Sequence, residues 1–271
     1  MSSDGPAGAK ADLLAVEEPL EIRIGGSPLT VTMRTPGDDL DLAAGFLFTE
    51  GLLSPAGDLR QIRMCDENVA DVTLEPADLP SPLEVARATD ARRAQRNFLT
   101  TSACGVCGKE SIDAIRVRSR YDVAADPVQV SPAVLASLPD RLREAQRVFA
   151  STGGLHAAGL FTADGSLAVL REDVGRHNAV DKVFGWALLQ GRMPARGCVL
   201  VVSGRASFEL AQKAVMAGVP VLAAVSAPSS LAVELAEECG LTVAGFVRDG
   251  SMNVYTHPGR IVTGGPARLI S

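Results

Sequence analysis

Apolar and polar positions alternate in two short runs near the start of the chain, residues 20–24 and 29–34, with Gly25-Gly26-Ser27-Pro28 between them. That pattern predicts a β-hairpin. After Thr35-Pro36-Gly37 the spacing changes: Leu40, Leu42, Ala43, Phe46 and Leu47 recur at helical intervals behind Asp38 and Asp39. Carboxylates at the positive end of a helix dipole suit a helix start, so a helix is expected over about 39–53. Residues 132–147 read as an amphipathic helix begun by Ser131-Pro132, with Pro139 expected to kink or split it. Further on, 155–161 and 167–170 flank Ala163-Asp164-Gly165 as a second hairpin, and a helix follows over about 178–189. A β-α-β-α-β run then comes from strands 199–202, 219–225 and 241–246 and helices 206–217 and 230–238, with Gly218 and Gly240 as left-handed stops. These strands are continuously apolar, as parallel strands covered on both faces are.

The expected fold class is α/β, or α+β over the whole chain: a C-terminal βαβαβ domain plus a smaller N-terminal hairpin-and-helix domain. The Pro- and Arg-rich stretch 75–96 has no clear period and suggests a boundary. The expected division is a leader over 1–12, an N-terminal α+β domain over 13–97, a C-terminal α/β domain over 98–265 and a tail over 266–271. Residues 1–10 are small and polar, unlike a signal peptide, and no apolar run approaches the roughly 20 residues that span a bilayer. A net charge of −6 argues against broad capture of nucleic acid. Five cysteines are an odd set in a chain large enough to fold without staples, which points to reduced thiols and a cytoplasmic setting.

The sharpest chemical signal is Cys104-Gly105-Val106-Cys107 in a loop with Ser102, Gly108 and Lys109. Two thiols three apart can serve as a dithiol redox pair, as half of a zinc site or as a persulfide carrier. Zinc lacks partners, because Cys65, Cys198 and Cys239 stand alone and His156, His177 and His257 form no local pair. A thioredoxin-like pair is expected at a helix start, whereas glycines on both sides favour a mobile loop. A thiolate in an accessible loop can accept sulfane sulfur and carry it, and Lys109 would favour the ionised form; a solvated lysine is the plainer reading of that residue.

A second constellation sits where strands are expected to end. Arg171–Asn178, Ser203-Gly204-Arg205, Ser226–Ser230 and Arg248-Asp249-Gly250-Ser251 all follow predicted strands. In open α/β sheets ligands bind at that edge, and Arg176, Arg205 and Arg248 would suit a pyrophosphate. Ordinary turn residues would look the same at any single loop, and His156, among Leu155, Ala157 and Ala158, reads as a structural histidine. Asp181 and Lys182 fit a surface ion pair or an internal contact.

Taken together, MRTPGDDLDLAAGFLFTEGLL, TTSACGVCGK, REDVGRHNAVDK, VSGRASFELAQKA and VRDGSMNVYTHPGRI resemble the FdhD family across residues 16–261. The resemblance implies a sulfurtransferase that passes persulfide sulfur from a cysteine desulfurase to bis-molybdopterin guanine dinucleotide, the molybdenum cofactor that formate dehydrogenase requires. It further implies a homodimer, a C-terminal domain related to cytidine deaminases, Cys104 and Cys107 as the catalytic cysteines with Cys104 loaded, and cofactor contacts from Phe246, Val247, Arg248, Asp249, Gly250 and Ser251. Ser203, Gly204 and Arg205 are added for the guanine end, where GDP would act as a partial ligand, on strand-edge geometry. The deaminase zinc chemistry does not carry over: it needs His-x-Glu and Pro-Cys-x-x-Cys, whereas Ala103 precedes Cys104 and no His-x-Glu occurs. A cofactor chaperone without sulfur transfer and a dithiol oxidoreductase are the alternatives.

Overall fold

The computed structural model describes residues 12–54, 59–75 and 119–262. The first hairpin forms as the alternation predicts, β1 (Glu18–Ile24) against β2 (Ser27–Arg34), and α1 (Asp39–Thr49) follows it. This helix ends four residues before the expected Leu53. A second pair, β3 (Leu59–Asp66) and β4 (Val69–Leu74), completes a sheet of order β2-β1-β4-β3, with β1 and β4 parallel. Sequence patterning gave no sign of β3, because six of its eight residues are solvent-exposed and only Ile62 and Leu59 pack inward.

The six-stranded sheet has the order β10-β9-β8-β7-β5-β6. Its members are β5 (His156–Thr162), β6 (Leu167–Asp173), β7 (Cys198–Val202), β8 (Val221–Ala224), β9 (Thr242–Arg248) and β10 (Ser251–Thr256). Strands β7, β8 and β9 are parallel, as expected of the β-α-β-α-β run. β5 runs antiparallel to both β6 and β7, so the start of β5 and the ends of β6, β7, β8 and β9 share one edge. β10, missed in the sequence, returns antiparallel along β9 after a two-residue turn.

Side-chain alternation assigns the layers. Val199, Val201, Val221, Ala223 and Ala244 pack with Leu135, Leu138 and Leu142 of α2 (Pro132–Ala145) on one face. Leu200, Val202, Leu222, Ala224 and Val243 face the other way, toward α4 (Arg176–Leu189), α5 (Phe208–Met216) and α6 (Ser230–Cys239). α1 lies in the same layer and is covered on its far side by Leu20, Ile22, Ala70 and Val72 of the small sheet. Gly218 and Gly240 follow α5 and α6 with φ of +69° and +74°, the left-handed stops expected of them.

The expected break at Pro139 does not occur; α2 runs through it, capped by the Ser131 hydroxyl, which accepts from the Val134 amide at 3.2 Å. The helix breaks instead at Gln146, which is extended (φ −73°, ψ 109°) between α2 and the short α3 (Arg147–Thr152). The Glu172 carboxylate fixes that joint by accepting from the backbone amides of Arg147, Val148 and Phe149 at 2.8–3.0 Å. No helix among the described residues is long and apolar enough to cross a membrane.

Candidate functional site

At the shared strand edge, between the sheet and the α2–α3 joint, lies a cleft of about 530 Å³. That is within the range of small-molecule sites. The sheet contributes His156 from β5, Ser203 after β7, Val225 after β8, and Val247 and Arg248 at the end of β9. The opposite wall is Pro139, Asp140, Leu142, Arg143, Gln146 and Phe149, closed by Gly153-Gly154, so one carboxylate stands beside its cation. The floor is thus apolar, the polar groups are few and convergent, and the cations Arg143 and Arg248 belong to opposite walls. Such a cleft suits a ligand with a flat or apolar body and an anionic end.

Each polar group is held. The Ser203 hydroxyl accepts from the Ala157 amide at 2.9 Å, which leaves its own proton free to donate. The Arg143 guanidinium lies over the Phe149 ring, 3.8 Å from its centroid, so the cation is pinned to the wall. Burial holds the His156 imidazole below its ordinary pKa, and the nearby charges of Arg176 and His177 push it the same way against Asp173. His156 is therefore a neutral donor–acceptor at neutral pH. Gln146 is only 5% exposed, and its Nε2 has no hydrogen-bond partner among the described residues. Arg176 Nε, at the start of α4, is likewise buried and unsatisfied. His177 Nε2 lies 3.8 Å from Glu209 Oε2, and this imidazole is the main reason the Glu209 carboxyl is held down to about 2. Buried polar atoms without partners are rare in folded chains.

The sequence-named residues divide. Ser203, Val247 and Arg248 meet in the cleft. Gly204 sits behind it against His156, where a Cβ would lie 3.6 Å from Nδ1, and Arg205 is exposed and outside the lining. Asp249 and Gly250 form the β9–β10 turn with φ of +50° and +73°, the paired positive angles of a tight hairpin for which Asp-Gly is suited. Ser251 closes that turn by donating to the Arg248 carbonyl at 3.0 Å. Phe246 holds a φ of +53°, a strained conformation for a bulky residue that costs on the order of 1–3 kcal/mol, immediately before the two cleft residues. So four of the six residues 246–251 shape the presentation of Val247 and Arg248 rather than line the cleft.

Much of the segment from Arg171 to Lys182 is structural rather than ligand-facing. Asp173, fully buried, pairs with Lys182 at 2.8 Å and accepts from the Thr35 and Gly175 amides and from Asn178. Arg171 bonds Asp41 at 2.7 Å, and Lys213 pairs with Asp181 at 2.8 Å while donating to Thr49. The Asp181 and Lys182 contacts are thus internal, with separate partners. Gln146, Arg143, Phe149 and His156 were not anticipated as lining: a joint between two helices leaves no periodic signal, and His156 was read as structural. Cys104, Cys107 and Lys109 lie outside the described residues, as do the leader, most of the 75–96 stretch and the tail. Cys65 and Cys198 are free thiols, and among the described residues no group of three or more His, Cys, Asp and Glu residues could hold a metal.

The fold is mixed α/β, with a cleft at the carboxyl edge of its larger sheet. The model of the FdhD/NarQ family matches residues 15–262. The chain is 60% identical to the sulfur carrier protein FdhD of Mycolicibacterium paratuberculosis, over 95% of this chain and 94% of that one. It is 42% identical to the sulfur carrier protein FdhD of Sulfolobus acidocaldarius, with 95% and 94% covered. A crystal structure from Desulfotalea psychrophila, assigned as a formate dehydrogenase accessory protein, superposes with a TM-score of 0.71 at 25% identity, covering 93% of this chain and 91% of that one. The chain belongs to the FdhD/NarQ family.

Proposed function

We propose that this protein is a sulfur carrier that takes sulfane sulfur from a cysteine desulfurase onto Cys104 and passes it to bis-molybdopterin guanine dinucleotide held at the strand-edge cleft, for use by formate dehydrogenase. Loading is a thiol–persulfide exchange: the Cys104 thiolate attacks the terminal sulfur of the donor's persulfide, the donor S–S bond breaks, and the donor leaves as a thiolate. The chemistry needs an ionised, accessible thiol and a place to hold the acceptor. The observation that carries the reading is the convergence of Ser203, Val225 and the Val247-Arg248 pair, from three separate strand ends, in one cleft with cations on both walls. A guanine nucleotide end fits an apolar slot with a few fixed polar groups, and the phosphates fit Arg143 and Arg248. The relatives named sulfur carrier protein FdhD, which align over almost the whole chain, support the transfer step. A homodimer and a cytoplasmic setting, where thiols stay reduced, belong to the same proposal.

The test is activation of formate dehydrogenase in a strain lacking this protein. Cys104→Ala should abolish activation while leaving GDP binding intact. Full activation by the Cys104→Ala, Cys107→Ala double variant would make the protein a cofactor chaperone instead.

A further inference from the structure

One wall of the cleft is a helix without a core anchor. α3 is six residues long, none of its side chains is buried, and it is bounded by non-helical residues at both ends: Gln146, extended at φ −73° and ψ 109°, and Gly153, left-handed at φ +68°. A helix of that length does not persist on its own propensity, because nucleation is unfavourable and so short a run recovers little of the cost. Yet α3 and the glycines after it supply Phe149, Gly153 and Gly154 to the cleft lining. What holds α3 is a carboxylate from another element. Glu172, on β6, accepts from the Arg147 and Val148 amides through Oε2 at 2.9 and 3.0 Å, and from the Phe149 amide through Oε1 at 2.8 Å. A carboxylate on the free amides of a helix start is favoured by the bonds and by the helix dipole together. β6 itself is tied down on either side of Glu172, by Arg171 to Asp41 at 2.7 Å and by Asp173 to Lys182 at 2.8 Å. The Arg143 guanidinium over the Phe149 ring joins two cleft residues to each other rather than to the core. Glu172 therefore reaches from an anchored strand to a weakly anchored helix, and it is not itself part of the cleft lining.

We propose that Glu172 is the positioning residue of the cleft: its carboxylate latches α3 in place, and ligand affinity depends on that latch although Glu172 touches no ligand. This rests on the reading of the cleft as the place that holds the acceptor, and adds what sets its shape. With α3 latched, the Phe149 ring and the Gly153-Gly154 rim stand opposite Ser203, Val225 and Val247. Without the latch the cleft is competent only in the fraction of molecules whose α3 is in place, and the apparent Kd rises by the inverse of that fraction. Bound ligand in turn holds α3 against opening, because binding and closure are linked.

Amide hydrogen exchange and isothermal titration with GDP, both on the full chain, test the latch. In the wild type the amides of residues 147–149 should exchange through local opening of α3, and GDP should slow them by about the ratio of free GDP to its Kd, about 10-fold at ten times Kd. Glu172→Ala removes the acceptor, so the same amides should lose protection and GDP should bind about 10-fold or more weakly, which corresponds to α3 in place in about a tenth of the molecules or fewer. Glu172→Gln keeps one acceptor oxygen and turns a donor toward the remaining amides, so its loss should lie between the two. A role in stability alone would lower the melting temperature of both variants and leave the GDP affinity of the folded protein at the wild-type value; that result would overturn the proposal. So would wild-type amides 147–149 whose exchange bound GDP leaves unchanged, a measurement that needs no variant to fold. Either result leaves the cleft as a binding site. Absence of any GDP binding by the wild type would overturn both the proposal and the reading beneath it.

Discussion

The contact between α1 and α4 leaves room for no side chain at two positions, and this yields a quantitative prediction for Gly45→Ala. A Cβ on Gly45 would lie 1.8 Å from the Asp181 carbonyl oxygen and 2.7 Å from the Gly185 amide nitrogen; one on Gly185 would lie 1.8 Å from the Asp41 carbonyl oxygen. These are backbone atoms, so relief requires the helices to part by about 1.2 Å to reach even 3.0 Å. Overpacking of this kind costs about 1–3 kcal/mol or more, against about 1 kcal/mol gained from replacing glycine in a helix. The parting also strains the Thr49 hydroxyl bond to Asp181 at 2.8 Å, which crosses from α1 to α4, and the Arg171–Asp41 pair at 2.7 Å, and breaking such a pair costs a further 3–5 kcal/mol or so. A net loss of about 3 kcal/mol or more is expected, a large part of a typical domain's stability. Urea unfolding followed by circular dichroism measures it. The Gly45→Ala, Gly185→Ala double variant should lose less than the sum, since one separation accommodates both methyl groups. A Gly45→Ala protein as stable as the wild type, or more stable by the helix-propensity gain, would refute the close approach.

Lys182→Met leaves the buried Asp173 carboxylate without its cation and should cost about 3–5 kcal/mol in the same urea assay. Two groups set the acid limb of stability. His156 titrates below its ordinary 6.5 in the fold, so the unfolded chain takes up its proton first; stability falls as pH drops from above 6.5 through the folded value, and His156→Gln should flatten that part of a melting-temperature profile. Glu209, held at about 2 against 4.5, contributes fully above 4.5 and loses its contribution as pH falls toward 2, a step that Glu209→Gln should remove.

The parts of the fold legible in the sequence are those where burial imposes a period. The β1–β2 hairpin alternates because one face covers α1, and β7, β8 and β9 read as continuous apolar runs because helices cover both faces. β3 was invisible because it is an exposed edge strand with almost no apolar pattern, and β10 because Ser251–Thr256 is likewise mostly exposed. Pro139 misled for a physical reason: the helix around it is held by Leu135, Leu138 and Leu142 in the core, which outweighs one missing amide. In the site, Ser203 and Arg248 could be placed because strand ends are positions in a pattern. Gln146 could not, since its place in the cleft wall depends on Glu172, 26 residues further along, locking the joint next to it. The segment Arg171–Asn178 was read toward a ligand, yet its Asp173 faces Lys182 inside; charge alone does not tell a buried pair from a binding edge.

The central claim is that Cys104 carries sulfur, and intact-protein mass spectrometry after incubation with a cysteine desulfurase and cysteine tests it most directly. The wild type should gain a reducible increment of one sulfur atom, about 32 Da, which Cys104→Ala abolishes and Cys107→Ala retains. No increment on the wild type beside an active desulfurase would contradict the account.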